Sequence, residues 1–444
     1  MIESITLNSG ITKIYDYAFY NCKSLVSTSE NVLVIGENVS SIGTNVFYGC
    51  SKINYIEIQN GNVLELTTLA NDSLTGTSSN LIIIVPNDSL NAYKTATNWS
   101  NYADKIYPKS LVDDEGFIID NGILLKYIGI NSNVTIPNTV TIIGSEAFAY
   151  NNIITNVTIP SSVTSINNKA FMECNNLISI TLNCESISIG DDAFKNNTML
   201  ETVSITGNVI SIGSYAFYNC SSLNSVTYNG NPTIGTYAFA NCILLSEINK
   251  GTIDVNINAT TIGDYAFSNC ELFTVVIVCD DVSSIGLGVF MGCDNIVDIT
   301  LPFVGIDNQT TYGYSQVFGY IFGYSKTQIE GTTTQVTGYN YYIPSTLKNV
   351  TITSESIIAQ NSFYNCSNIE SIKYTCDITE INNYAFYGCL KLDSLIVLSS
   401  VIPTLNENAF DSGTNPTIYV LSTLKTQYES ANGWSDYTIS SIAD

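Results

Sequence analysis

Between residues 200 and 234 the apolar positions fall at Leu200, Val203, Ile205, Val209, Ile212, Ala216, Phe217 and Cys220, and the same phases return at Leu223, Val226, Tyr228 and Ile234. Val203-Ser204-Ile205 alternates as a short strand with one buried face does, and Val209 to Ile212 predicts a second extended stretch. Gly213 then leads into a tight turn carrying Ala216 and Phe217. The phrase IGSYAFYNCSSL (212–223) recurs as IGTYAFANCILL (234–245), IGDYAFSNCELF (262–273) and INNYAFYGCLKL (381–392). Its phenylalanine serves as a ruler: Phe148, Phe171, Phe194, Phe217, Phe239, Phe267, Phe290, Phe363, Phe386 and Phe410 stand 23, 23, 23, 22, 28, 23, 73, 23 and 24 residues apart. An earlier series runs through Phe19 and Phe47, with Leu74 next in the same place. Prolines close strands, as in Ile159-Pro160, Leu301-Pro302 and Ile343-Pro344, because a residue without an N–H cannot sit inside a ladder. One such unit cannot bury its own apolar face, so the pattern predicts stacked coils of a parallel solenoid.

A period of about 23 residues lies in the leucine-rich-repeat range. The fold class expected is therefore a repeat solenoid of leucine-rich-repeat-type coils, mainly β, with short parallel strands and short helical caps. Ile159-Pro160-Ser161-Ser162-Val163-Thr164-Ser165-Ile166, followed by Ala170-Phe171 and Cys174, resembles the repeat of BspA-like leucine-rich repeat surface proteins. The likeness extends over nearly the whole chain. It implies a cell-surface or secreted location, a bacterial source (which the Phe-Gly-Tyr-Ile-Phe-Gly run of 318–323 also favours) and binding to host matrix proteins, mucosal glycans or other cells. Function does not follow from fold alone, since repeat scaffolds host many partners.

Two segments depart from the repeat and resemble each other. Ile84-Val85-Pro86 through Tyr93 to Trp99, and Tyr419-Val420 through Tyr428 to Trp434, share their spacings and hold the two tryptophans of the chain. Ser89 and Ser422 read as N-caps of short helices that cover solenoid ends. An alternative is an aromatic site for sugar stacking at Trp99 or Trp434. The expected organisation is a first array at 1–107 with its C-terminal cap, an acidic linker at 108–116, and a second array at 117–444 with an insert at about 302–342 and its own cap. Asp113, Asp114 and Glu115 in the linker lack the register of a calcium loop and read as solvated.

Composition narrows the chemistry. The formal charge is −24, all fifteen basic residues are lysines, and there is no histidine. Serine–histidine and cysteine–histidine nucleophiles and histidine-ligated zinc are excluded, and the missing arginine with the acidic excess argues against nucleic acid. No run of the roughly 18 apolar residues needed to span a bilayer is present, and MIESITLNSG lacks the features of a signal peptide. The chain opens directly inside the repeat, the pattern of a fragment of something longer. Nine of its twelve cysteines, Cys22, Cys50, Cys174, Cys220, Cys242, Cys270, Cys293, Cys366 and Cys389, stand three residues after the ruler phenylalanine, where Asn151 and Asn197 substitute. They read as buried free thiols needing no partner, and Cys184, Cys279 and Cys376 as structural in another phase. Turn carboxylates such as Asp191, Asp192, Asp264, Asp280 and Asp281 read as solubilising. A hydroxyl ladder on the first strand (Thr158, Thr181, Ser204, Thr227) suits exposed strand positions and, alternatively, the ordering of water.

The gap of 73 residues between Phe290 and Phe363 hides the insert, in which Val317-Phe318 is expected to keep one coil's turn position while Ser325 to Asn340 loops out. Its tyrosines sit among small polar residues, so Tyr312, Tyr314, Tyr320, Tyr324, Tyr339 and Tyr341 are the candidate binding residues; the alternative is that they seal a widened gap. No catalytic or metal residue is assigned and no cofactor is expected. The leading functional reading is a non-enzymatic binding protein, monomeric, whose partners are extracellular host or microbial proteins or glycans. The alternatives are a glycan hydrolase using an acid pair and a passive structural spacer for another domain.

Overall fold

Short strands, each with one inward face, leave most of their backbone groups to be satisfied by the next coil. The computed structural model describes residues 5–25, 32–249, 254–308, 313–325, 332–336, 339–411 and 413–442. It is a solenoid of about 17 turns with mostly parallel strands and little helix. The chain divides into two compact units, Met1–Ser132 with Thr139–Ile153, and Asn133–Asn138 with Ile154–Asp444.

In the first unit, Leu33–Ile35, Tyr55–Ile58, Ile82–Val85 and Ile106–Pro108 form a parallel sheet with Ile56 opposite Ile83 and Ile83 opposite Ile106. A second parallel ladder joins Lys13–Ile14, Ser41–Ile42 and Thr68–Leu69. Ile35, Val39, Ile42, Phe47, Ile58 and Ile83 fill the space inside the coils. The helix Leu90–Thr95 and the 3-10 stretch Trp99–Lys105 complete this core with Tyr93 and Trp99. The Trp99 indole donates to the Thr67 carbonyl at 2.7 Å and the Tyr93 hydroxyl to that of Asn60 at 3.0 Å, so the cap is bonded to the coil before it. Ser89 does not cap through its side chain; a 3-10 turn, Asn87–Ser89, leads into the helix and the Ser89 hydroxyl donates back to Pro86. Residues 108–116 lie inside this unit. The Asp113 carboxylate accepts the N–H groups of Glu115 and Phe117, and the antiparallel pair Phe117–Asp120 and Ile123–Tyr127 comes next. Ile118 joins Tyr55, Ile82 and Ile84 in a small apolar cluster flanked by Tyr107, Leu111 and Val112.

In the second unit the first ladder runs one repeat per step, Val157 beside Ile180, Val203 and Val226. Asp298–Leu301 pairs directly with Asn349–Ile352, in register from Asp298 opposite Asn349 to Leu301 opposite Ile352. The ladder thus passes over the insert. At the turns, ruler phenylalanines stack: Phe171, Phe194, Phe217, Phe239 and Phe267 have ring centroids 5.0–5.2 Å apart and planes within 6°. Insert residues take the next turn. The Phe290 N–H donates to Ile321 and the Phe318 N–H to Ser362, both at 2.8 Å, and the Phe318 ring sits 5.0 Å from that of Phe363. Beyond Phe318, Tyr324–Ser325, Thr332–Val336 and Tyr339–Ile343 form an antiparallel sheet, so the described part of the expected loop is paired strand. At the end of the unit the 3-10 turn Ser422–Leu424 and the helix Lys425–Tyr428 precede Trp434, whose indole donates to the Pro403 carbonyl at 2.9 Å. Trp99 and Trp434 are each 1% exposed, which rules out stacking sugars on them.

Candidate binding face

The turn of each coil sorts its side chains by backbone geometry. Gly235 enters the turn, where a Cβ would stand 2.5 Å from the Ser214 nitrogen, so glycine sets how closely two coils approach. Two positions later Tyr237 takes φ 55°, the left-handed region that costs a non-glycine residue energy, as do Tyr215 at 57° and Tyr265 at 56°. Two residues after each tyrosine comes the ruler phenylalanine, fully inside. The tyrosines stay at the rim, half-buried.

They form a strip. Tyr215 and Tyr237 stack with centroids 5.1 Å apart, Tyr237 and Tyr265 at 4.9 Å, and Tyr218 stands edge-on to the first two. At the strip's start the Lys195 ammonium lies 4.8 Å from the Tyr215 ring centre and 5.7 Å from that of Tyr218, and pairs with Asp192 at 2.7 Å. At its end, burial and the neighbouring Tyr237, Tyr324 and Asp264 push the Tyr265 hydroxyl upward. Burial, Asp264, Tyr314, Tyr265 and Asp307 carry Tyr320 to about 12. Gly288, against the Tyr265 ring, donates its N–H to the Tyr320 carbonyl at 2.9 Å, so the strip reaches the insert. A groove of about 450 Å³ runs beside it along Ser214, Gly235, Thr236, Gly263, Asp264 and Ile306. Tyr364 and Tyr387 stack in a later part of the same unit. In the first unit Tyr17, Tyr20 and Tyr48, all exposed, make a comparable cluster.

Of the candidate tyrosines, Tyr314 and Tyr324 are exposed at 52% and 36%. Tyr320 and Tyr341 are buried, and the Tyr341 hydroxyl donates to the Tyr314 carbonyl at 2.6 Å, so both pack within the insert. Tyr312 lies outside the described residues. Tyr339 begins a strand, and its side chain is likewise outside them. The strip tyrosines were in plain view in IGSYAF, IGTYAF and IGDYAF; their position two residues before each inward phenylalanine is the signal.

The turn carboxylates have a second role besides solubility. Asp191 accepts from the Ser214 N–H at 2.7 Å and Asp264 from Leu287 at 2.8 Å, each tying its coil to the next. Among the described residues no three cysteine or carboxylate side chains gather as a metal site would need, and no helix is long and apolar enough to cross a membrane.

Parallel coils of this period, a stacked phenylalanine spine and a cysteine or asparagine at most turns define a leucine-rich repeat solenoid. The chain belongs to the family described as BspA type leucine rich repeat region (6 copies), which matches residues 1–93, 125–246, 246–356 and 334–433. No curated protein matches the sequence. Among solved structures the chain is similar to a leucine-rich repeat protein from Bacteroides ovatus, at 17% identity over 95% of this chain and 94% of that one, with a TM-score of 0.41. It is similar to the leucine-rich repeat protein of T. pallidum at 25% identity over 43% and 90%, TM-score 0.36. A leucine rich cell surface protein of Faecalibacterium prausnitzii is 22% identical over 74% and 98%, TM-score 0.23.

Proposed function

We propose that the chain is a non-catalytic binding protein of the cell surface or extracellular space that attaches to matrix proteins, mucosal glycans or other cells. The observation that carries this reading is the tyrosine strip, a row of half-exposed aromatic rims stacked coil on coil that extends through Gly288 to the insert. Tyrosine supplies contact area at low entropic cost, which is why recognition surfaces are enriched in it. The composition supports the absence of catalysis, because neither histidine nor arginine is available and the turn acids Asp191 and Asp264 already serve backbone N–H groups. The test is a binding screen of the immobilised chain against purified matrix proteins and mucin glycans, repeated with Tyr314→Ser/Tyr324→Ser. Saturable binding weakened by that variant is expected. Turnover of a glycan that a single carboxylate substitution abolishes would replace this reading with the hydrolase.

A further inference from the structure

The strip contains its own example of what it holds. Lys195 comes directly after Phe194, and its ammonium is taken up by the Asp192 carboxylate and the rings of Tyr215 and Tyr218. In the next coils the residue after the ruler phenylalanine is Tyr218, then Ala240, then Ser268. Lys195 lies over the tyrosine of the following coil; at the corresponding places Tyr218 stands edge-on to Tyr237, and Ala240, for Tyr265, is short and buried, so among the described residues no lysine lies over either ring. That stretch is acidic: Asp264 is exposed, one of its oxygens serves Leu287, and its charge is felt by Tyr237, Tyr265 and Tyr320.

Geometry also says what does not fit. At centroid spacings of 4.9–5.1 Å and tilts of 12–15° the rings cover one another's faces, and Tyr265 is closed on its far side by Gly288, whose added Cβ would stand 2.5 Å from the ring. A sugar has no free face to stack on. What remains outward beside the electropositive ring edges is the hydroxyl oxygens and the exposed Asp264 carboxylate, which accept hydrogen bonds, the carboxylate also attracting positive charge. The whole chain adds to this field, with 39 acidic residues against 15 lysines.

We propose that the strip from Tyr237 to Tyr265, with Asp264, docks the lysine or arginine side chains of a cationic, extended polypeptide segment running along the solenoid. The inference rests on the binding reading above and specifies its partner. A linear row over successive coils suits an extended chain better than a single small cation, because each rung meets a different residue of the partner.

The experiment measures binding of a fluorescent peptide of alternating lysine and serine to the intact chain, beside the same peptide with every lysine acetylated. Asp264→Asn keeps the oxygen that accepts from Leu287 but removes the charge. It and Tyr237→Ser/Tyr265→Ser are expected to weaken binding of the lysine peptide at least tenfold. Asp393→Asn/Glu407→Gln removes two exposed charges elsewhere in the same unit and should change it less than twofold; the acetylated peptide should not bind. If the serine variant fails to fold, Ala240→Lys replaces it, since a lysine in the place of Lys195 would occupy the strip from within and again cost at least tenfold. Equal binding of the acetylated peptide, or losses for Asp264→Asn no larger than for the distant pair, would overturn the inference. A chain that binds a matrix protein or glycan through Tyr314 and Tyr324 but ignores the lysine peptide would sink this inference and leave the binding reading standing. Failure of both screens would sink both.

Discussion

The Cys220 thiol donates to the carbonyl oxygen of Phe194, one coil back, at 3.1 Å. Cys50, Cys242, Cys270, Cys293 and Cys389 repeat the contact at 3.0–3.4 Å, and in the coil where asparagine substitutes, the Asn197 amide reaches the carbonyls of Phe171 and Phe194 at 2.8 Å. The position shared by cysteine and asparagine is thus a donor position, which corrects the expectation that these thiols need no partner. Among the described residues no cysteine forms a disulfide.

Replacing Cys220 by valine keeps the packing and removes this donor; the Phe194 carbonyl still accepts the Asn197 amide at 2.8 Å, so the cost is that of one hydrogen bond, about 0.5–1.5 kcal/mol. Cys220→Ser supplies a hydroxyl donor and should cost less. Burial lifts the Cys220 thiol to about 12, so almost no thiolate is present near pH 8. Labelling with a thiol reagent should be slow in the folded chain and complete in denaturant. Fast labelling of Cys220 under native conditions, or equal melting temperatures for the two variants, would contradict the donor role.

Cys220 also marks the boundary of what was legible in sequence. The period, the phenylalanine ruler and the one-per-coil cysteine are visible because a solenoid repeats its environment, and a repeated environment selects repeated residues. The two caps were legible for the converse reason, since the end of a stack is a different environment. The donor role of Cys220 was not, because its acceptor, Phe194 O, is a backbone atom 26 residues away and any residue would supply it. Nor was the fate of the insert tyrosines: Tyr314 and Tyr341 have similar local sequence, and only the antiparallel pairing of Tyr324 with Tyr341 decides which is buried.

Glu355 should make stability fall as pH rises. Its carboxyl is buried, accepts one N–H from Val304, leaves Oε2 without a partner, and is faced by Tyr374 and Cys376. Burial is the main cause that raises it from 4.5 to about 8. Between those values the folded chain keeps a proton that the unfolded chain has released. The protonated form is therefore stabilising below pH 4.5, and that contribution is lost progressively up to about pH 8, by as much as about 5 kcal/mol. Glu355→Gln, neutral throughout, should melt higher than the parent at about pH 8 and like it at about pH 4. Parallel melting curves of the two proteins across that range would show the carboxyl to be ionised or solvated.

We propose that the chain carries two arrays divided at residues 108–116, with limited proteolysis cutting between Asp113 and Glu115. Ile82 and Ile84, however, pack with Ile118 across that segment. A fragment of residues 1–107 should then fold through its Trp99 cap but melt lower than one of residues 1–128, which retains Ile118. Circular dichroism melts of the two fragments check this. An unfolded 1–107 would show that the first array depends on residues C-terminal to the segment.

Shortening the insert tests which of its residues belong to the solenoid. Ser325 lies opposite Asn340 and Tyr324 opposite Tyr341, and cross-strand partners are only about 4.5–5.5 Å apart, so residues 326–338, the paired strand Thr332–Val336 included, can be replaced by a short glycine-containing turn that keeps the Tyr324–Tyr341 pairing. Chain closure over so few residues carries a small entropic change. Phe318, Phe322 and Tyr341, all buried, remain in place, and Phe318 keeps its contact with Phe363. The shortened protein should fold cooperatively, with a melting temperature within a few degrees of the parent. Tyr341→Ala in the full chain should do far more harm, because it empties a fully buried site, and truncating a buried aromatic costs about 3–5 kcal/mol. If the shortened chain loses cooperative unfolding while Tyr341→Ala does not, the core of the insert lies in residues 326–338 and Tyr341 is not its anchor.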